Sequence, residues 1–297
     1  MREAPYCRLE LSFLGVTAGR ILVRFLFILF LVLGWVPLRA SACVARDFLN
    51  LPLPMQTSEP VWMTATLMAY PALRPGADGE TLIAPDGQTV SVSGMTGRSP
   101  REIILAPSFG DQFFAIYPLD RDLETRRIPY QDPGRARDQA FFTLLYGADA
   151  QTVQTDLTIV TAGPGPLAQF RVTRRHGVDC QLRAAIASLE ENWDGLTPYF
   201  TTVGGSFNWR RISGTSRLSA HSYGIAIDIN ANLGGYWRWS GEPEGAVGDY
   251  DNQVPWRLVE TMERYGFIWG GKWHHFDGMH FEYRPEIILF SRLSGGP

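Results

Sequence analysis

The sequence predicts an α+β protein: a small antiparallel sheet with flanking helices, preceded by a β-rich N-terminal region. Three observations predict it. In residues 224–230 the β-branched Ile225, Ile227 and Ile229 alternate with Gly224, Ala226 and Asp228, the period of a strand with one apolar face. A second short run repeats the alternation, with Met279, Phe281 and Tyr283 on one face and His280 and Glu282 on the other. Helix-period segments lie to either side of residue 224, over 179–192 and 255–265.

Residues 1–42 read as a secretory signal. Arg20 and Arg24 precede an apolar run over 25–36, short for a membrane span, and the small residues Ala40, Ser41 and Ala42 follow. The protein is therefore expected to be exported, to the periplasm or cell envelope, touching a membrane only if the apolar run is retained. Cys43, directly after Ala42, also raises a lipoprotein reading, but Ala40 stands where a large aliphatic residue is expected. Beyond residue 42, 22 basic side chains face 28 acidic ones without any basic run, so there is no electrostatic footprint for nucleic acid. Of the three cysteines, Cys7 falls in the signal. Cys43 and Cys180 are read as a disulfide, with two buried thiols as the alternative.

Residues 43–170 form the N-terminal region, whose role is open. Strands are expected over 61–70, over 81–92 folded around Pro85-Asp86-Gly87, and over 102–118. A short helix follows over 136–146, and Gly163-Pro-Gly-Pro166 reads as the boundary with a second domain over 171–297. There Asp179 caps a helix reaching about residue 192, with Leu182, Ala185, Ile186 and Leu189 on one face. Another helix spans 255–265, since proline is tolerated in a first turn and Gly266 ends it.

The two strand runs bring chemistry with them. His221, Asp228 and His280 supply two imidazoles and a carboxylate, which close three corners of a tetrahedral zinc site and leave the fourth open for water. Asp277, three residues before His280, is the candidate general base. Glu282 competes for that role and is better read as the partner that orients a ligand imidazole. A lone buried histidine is more often a core residue than a ligand, but four of the five histidines fall within 221–280. His274 and His275, as neighbours, point in different directions and read as surface or cleft-rim residues. Trp209, Trp269 and Trp273 lie beside these motifs and suit either a groove wall or the core.

Ser219-x-His221-x-x-Gly224-x-Ala226-x-Asp228, Trp269-Gly-Gly-Lys-Trp273 and Asp277-x-Met-His280-Phe-Glu282 together resemble the zinc D-alanyl-D-alanine carboxypeptidase and L-alanyl-D-glutamate endopeptidase family of peptidoglycan metallopeptidases, the extensin-like C-terminal subgroup being one branch of comparison. The resemblance covers about residues 175–290. It implies that His221, Asp228 and His280 bind zinc and that Asp277 is the base. It also implies that Arg210, or failing it Arg211, binds substrate and the developing oxyanion, and that Ser219 helps to hold substrate. The expected function is a zinc peptidase acting on peptidoglycan stem peptides, either carboxypeptidase or endopeptidase. The alternatives are a zinc-stabilised envelope binding module without turnover, against which the presence of both Asp277 and Arg210 argues, and an envelope scaffold acting through residues 43–170.

Overall fold

Four short antiparallel strands, in the spatial order 203–205, 226–230, 280–283 and 267–269, form the sheet that carries the site. They belong to a computed structural model that describes residues 43–297 apart from 58, 166 and 297. The expected signal over 1–42 lies outside the described residues. In chain order the structure has α1 (Val61–Ala69), β1 (Arg74–Pro75), β2 (Thr81–Ile83), β3 (Thr89–Ser91), α2 (Pro100–Leu105), α3 (Gln139–Tyr146) and α4 (Ala150–Thr155). The hairpin β4 (Leu157–Ala162) and β5 (Ala168–Thr173) leads to α5 (Val178–Glu190), α6 (Thr197–Thr201) and β6 (Val203–Gly205). Then come β7 (Ala226–Asn230), α7 (Ala231–Gly234), α8 (Trp256–Arg264), β8 (Phe267–Trp269), β9 (His280–Tyr283) and α9 (Pro285–Leu293). No helix among the described residues is long and apolar enough to cross a membrane.

Both strands expected around the site form. Ile225, Ile227, Ile229, Phe281 and Tyr283 turn into the main core, and β7 pairs with β9 so that Asp228 stands opposite His280 and Ala226 opposite Glu282. Because side chains alternate along a strand, this register puts both metal-site candidates of the sheet on one face as direct neighbours. The flanking helices form as well. On α5 the buried residues Leu182, Ala185, Ile186 and Leu189 make one face, and α8 buries Leu258, Val259 and Met262 before Gly266 stops it at φ 93°. Asp179 is not the cap of α5: Gly177 holds that position, and Asp179 sits in the first turn, where its charge suits the helix dipole.

Residues 43–170 are mixed rather than a run of strands. Residues 61–70, expected as a strand, form α1, which packs against α9. Val, Trp and Thr favour strands locally, but tertiary packing overrides so weak a preference. Residues 102–118, also expected as a strand, instead hold α2 and a 3₁₀ turn over Gly110–Phe113. The signal for α2 is a capping box, in which Ser99 accepts from Glu102 N and Glu102 accepts from Ser99 N, with Pro100 in the first turn. The hairpin around Pro85-Asp86-Gly87 is present as β2 and β3. Asp138 caps α3 by accepting from Phe141 N at 2.9 Å.

The expected boundary at 163–166 falls inside the β4-β5 hairpin, where Gly163, Pro164 and Gly165 make the turn. Cys43–Pro297 forms one compact unit, with a core that runs from Phe48 to Phe290. Cys43 is bonded to Cys180, which ties the start of this unit to α5 and leaves no free sulfur on Cys43 for a lipid thioether.

Candidate metal centre and active site

His221 enters the site from a 3₁₀ turn, Ala220–Tyr223, that ends where Gly224 takes φ 67° and β7 begins. Ser219 Oγ accepts from His221 N at 3.4 Å and so holds the turn. His221 Nδ1 lies 2.6 Å from the carbonyl of Ser206 and donates to it, which leaves the lone pair of Nε2 facing the site. His280 is oriented in the opposite sense. Its Nε2 lies 3.3 Å from Glu282 Oε2, and its Nδ1 faces Asp228 Oδ1 at 2.9 Å and His221 Nε2 at 3.2 Å. Each imidazole thus gives one N–H to an oxygen acceptor and turns its other nitrogen inward, the arrangement found around metal ligands.

His221, Asp228 and His280 each offer a ligand atom within 4.8 Å of the others, and two imidazoles with one carboxylate suit zinc. Burial raises the Asp228 pKa, but the two histidines outweigh it and hold this carboxyl well below the usual carboxylate range. Asp277 behaves in the opposite way. Burial is the largest influence and pushes its carboxyl up to about 6, with Asp228 adding to the rise and His280 opposing it. Its Oδ1 is buried without a hydrogen-bond partner among the protein atoms. An orphaned carboxylate oxygen beside a His/Asp/His set fits a site that holds a cation and a water in contact with a base. Gly278 allows this approach by close packing, since a Cβ there would stand 1.9 Å from the Gly234 carbonyl oxygen.

His221, Asp228, Asp277 and His280 line one cleft of about 140 Å³, together with Arg135, Arg137, Arg210, Ile212, Ser213, Ser219, Tyr236, Arg238 and Trp273. Arg210 is pinned by its main chain, where its N donates to Ser222 Oγ at 3.0 Å and its carbonyl accepts from Ser219 N at 3.0 Å. Arg211, the fallback, donates to the Ser216 carbonyl and does not line the cleft. Of the three tryptophans, only Trp273 lines it. Trp269 is fully buried, and Trp209 packs beside Tyr223. His274 and His275 are not surface residues: both are buried, with Nδ1 of His274 donating to the Arg126 carbonyl and Nδ1 of His275 to Asp132 Oδ2.

Sequence reasoning missed Arg135 and Arg137 entirely. Arg137 Nε donates to Glu282 Oε1 at 2.6 Å and Nη2 donates to Oε2, a bidentate pair buried beneath the cleft. Burial alone would raise the Glu282 pKa. Arg137, with His280 and Arg284 behind it, holds the carboxyl well below its usual range instead, so Glu282 is a fixed anion against His280 Nε2. The only local sign of these arginines is the turn Asp132-Pro-Gly134 that precedes them.

No curated protein and no solved structure matches the chain. Residues 213–283, which carry His221, Asp228, Asp277 and His280 but not Arg210, match the model of a peptidase family described as D-alanyl-D-alanine carboxypeptidase.

Proposed function

We propose that the protein is a zinc-dependent peptidase that hydrolyses peptide bonds in peptidoglycan stem peptides outside the cytoplasm. The observation that carries the proposal is the closure of His221, Asp228 and His280 to within 4.8 Å in the same cleft as the orphaned carboxylate oxygen of Asp277. Zinc held there supplies Lewis acidity, lowering the pKa of a water from about 16 to about 7 and polarising a carbonyl. Asp277, poised by burial near neutral pH, takes a proton from the attacking water and returns it to the leaving amine. Glu282, fixed by Arg137, keeps His280 in one orientation and one tautomer. Arg210 offers its guanidinium to a terminal carboxylate or to the developing oxyanion, and Ser219, 5 % exposed in the cleft, adds a hydroxyl. These two groups favour release of a terminal D-alanine over cleavage of an internal bond.

Digestion of purified stem peptides with and without a chelator, read by mass spectrometry, tests the proposal. Chelator-sensitive loss of one terminal D-alanine is the expected result. Release of a multi-residue fragment would make the protein an endopeptidase, and zinc binding with no product from any peptide would leave it a binding module.

A further inference from the structure

The segment 131–137 lies outside the matched family region and is stitched to the residues around His280 by a series of hydrogen bonds. His274 N donates to Gln131 O at 2.9 Å, His275 N to Asp132 Oδ1 at 2.9 Å and Trp273 Nε1 to Pro133 O at 2.8 Å, while Arg284 donates to Gly134 O. Two arginines project from this segment into the cleft lining, and their situations differ. Arg137 has Nε and Nη2 on Glu282 and Nη1 on the Arg135 carbonyl at 3.4 Å, so each of its nitrogens is already engaged and its charge is paired. Arg135 is held by one nitrogen only, Nη1 donating to His275 O at 2.9 Å, with its guanidinium 5.6 Å from the centre of the Trp273 ring. Its ion pair with Asp132 spans 3.8 Å, too long for a hydrogen bond, and both Asp132 oxygens already accept from His275.

The cleft holds charges of both signs, with Asp132 and Glu282 facing Arg135 and Arg137. Arg135, Arg137, Arg210 and Arg238 line the cleft against Asp228 and Asp277, in a chain whose net charge is −3. Behind them Arg217 has Nε and Nη1 buried without partners, and its pKa is pushed down to about 10 by burial and by repulsion from Arg137 and Arg135. With Asp228 and Asp277 engaged at the metal centre and Arg137 on Glu282, the cations left to face the substrate are Arg135, Arg210 and Arg238.

We propose that Arg135 is a specificity residue that binds a side-chain carboxylate of the substrate, so that the preferred peptide carries a second carboxylate besides the terminal one facing Arg210. The inference rests on the peptidase reading and names its substrate class. Arg135 suits the task because its stacked, one-point attachment fixes the guanidinium before binding and leaves its other donors free, so little ordering entropy is lost.

The test uses paired peptides ending in D-Ala-D-Ala with Glu or Gln at each of the two preceding positions. For the protein itself, kcat/KM for a Glu peptide should exceed that for its Gln partner by about 10- to 100-fold, the range of a charge-assisted hydrogen bond. In Arg135→Ala that ratio should fall to near one, and in Arg135→Lys it should be intermediate. Calorimetric binding of the same peptides to Asp277→Asn reads the preference without turnover, so a failure of the peptidase reading is separable from a failure of this one. A ratio near one in the unmodified protein, or an unchanged ratio in Arg135→Ala whatever its total activity, would overturn the proposal. Should Arg135→Ala not fold, Arg135→Gln keeps a donor for the His275 carbonyl and answers the same question.

Discussion

The cleft has two supports built on different physics. His280 and Asp228 are set by main-chain pairing of β7 with β9, whereas the segment from Asp132 to Arg137 is set by buried side chains, above all the Arg137 fork on Glu282 and the His275 contacts of Asp132. That register is set by the buried face of Ile225, Ile227, Ile229, Phe281 and Tyr283, so it survives single changes on the opposite face. A buried ion pair does not, since removing one partner leaves an uncompensated charge. Substitutions of His221, Asp228 and His280 should therefore damage chemistry while sparing the fold, and substitutions in the Arg137–Glu282 pair should lower stability.

The sharpest form of that contrast is at the ligands. His221→Ala, Asp228→Ala and His280→Ala are each expected to lose most bound zinc and to reduce turnover to background, with circular dichroism unchanged. Metal analysis of the purified variants decides it, and full zinc occupancy in any one would remove that residue from the ligand set. Next in size is Asp277→Asn, which should keep zinc and fold while turnover falls at least ~100-fold, the usual scale for a general base. Replacing a carboxylate whose buried Oδ1 has no partner should leave thermal stability unchanged or slightly raised. Glu282→Gln should show the reverse pattern, a clear loss of stability with some turnover kept, because it strands Arg137. If the two variants exchanged patterns with zinc retained, Glu282 would be the base.

Arg137 tests the loop side. Arg137→Ala leaves the Glu282 anion buried with only the His280 ring at 3.3 Å and Arg284 at 3.5 Å as partners, and is expected to cost about 3–5 kcal/mol of stability. Because Glu282 orients His280, zinc affinity should also fall by about 10- to 100-fold, measured by competition with a chromogenic chelator. An Arg137→Ala protein that melts lower but binds zinc normally would break the link from loop to ligand. For the same reason, residues 171–297 expressed alone should fail to form a stable zinc site.

What could be read in the sequence follows the same division. The clustering of His221, Asp228 and His280 is legible because strand alternation in 224–230 and 279–283 is a local signal, and the histidine spacing sits directly on it. The α2 helix leaves a local signal too, the Ser99-Glu102 capping box. The α1 helix leaves a mixed one, since Val61, Trp62 and Thr64 favour strands whereas Met63, Ala65, Leu67, Met68 and Ala69 favour the helix that packs on α9. Arg137 left none. Its partner is 145 residues away, and nothing in a lone arginine after a turn announces a buried carboxylate. The burial of His274 and His275 is illegible for a related reason, because their hydrogen-bond partners, Arg126 and Asp132, come from the other half of the chain.

The smallest expected effect concerns the covalent tie between these halves. Cys43 and Cys180 are separated by 137 residues in sequence and join the first described residue to α5, away from the cleft lining. Closing so long a loop restricts the unfolded chain more than the folded one, by about 5 kcal/mol on the chain-entropy account, and measured values usually fall below that. Cys43→Ser with Cys180→Ser should therefore lower the midpoint of thermal unfolding by roughly 5–15 °C for a unit of this size, while zinc content and turnover at 25 °C stay unchanged. Parallel melting curves and metal analysis with and without reductant check both halves of that statement. A loss of zinc on reduction, with the protein still folded, would mean that α5 and the strands it packs behind transmit strain to the ligands, and the division between main-chain and side-chain support would then be too simple.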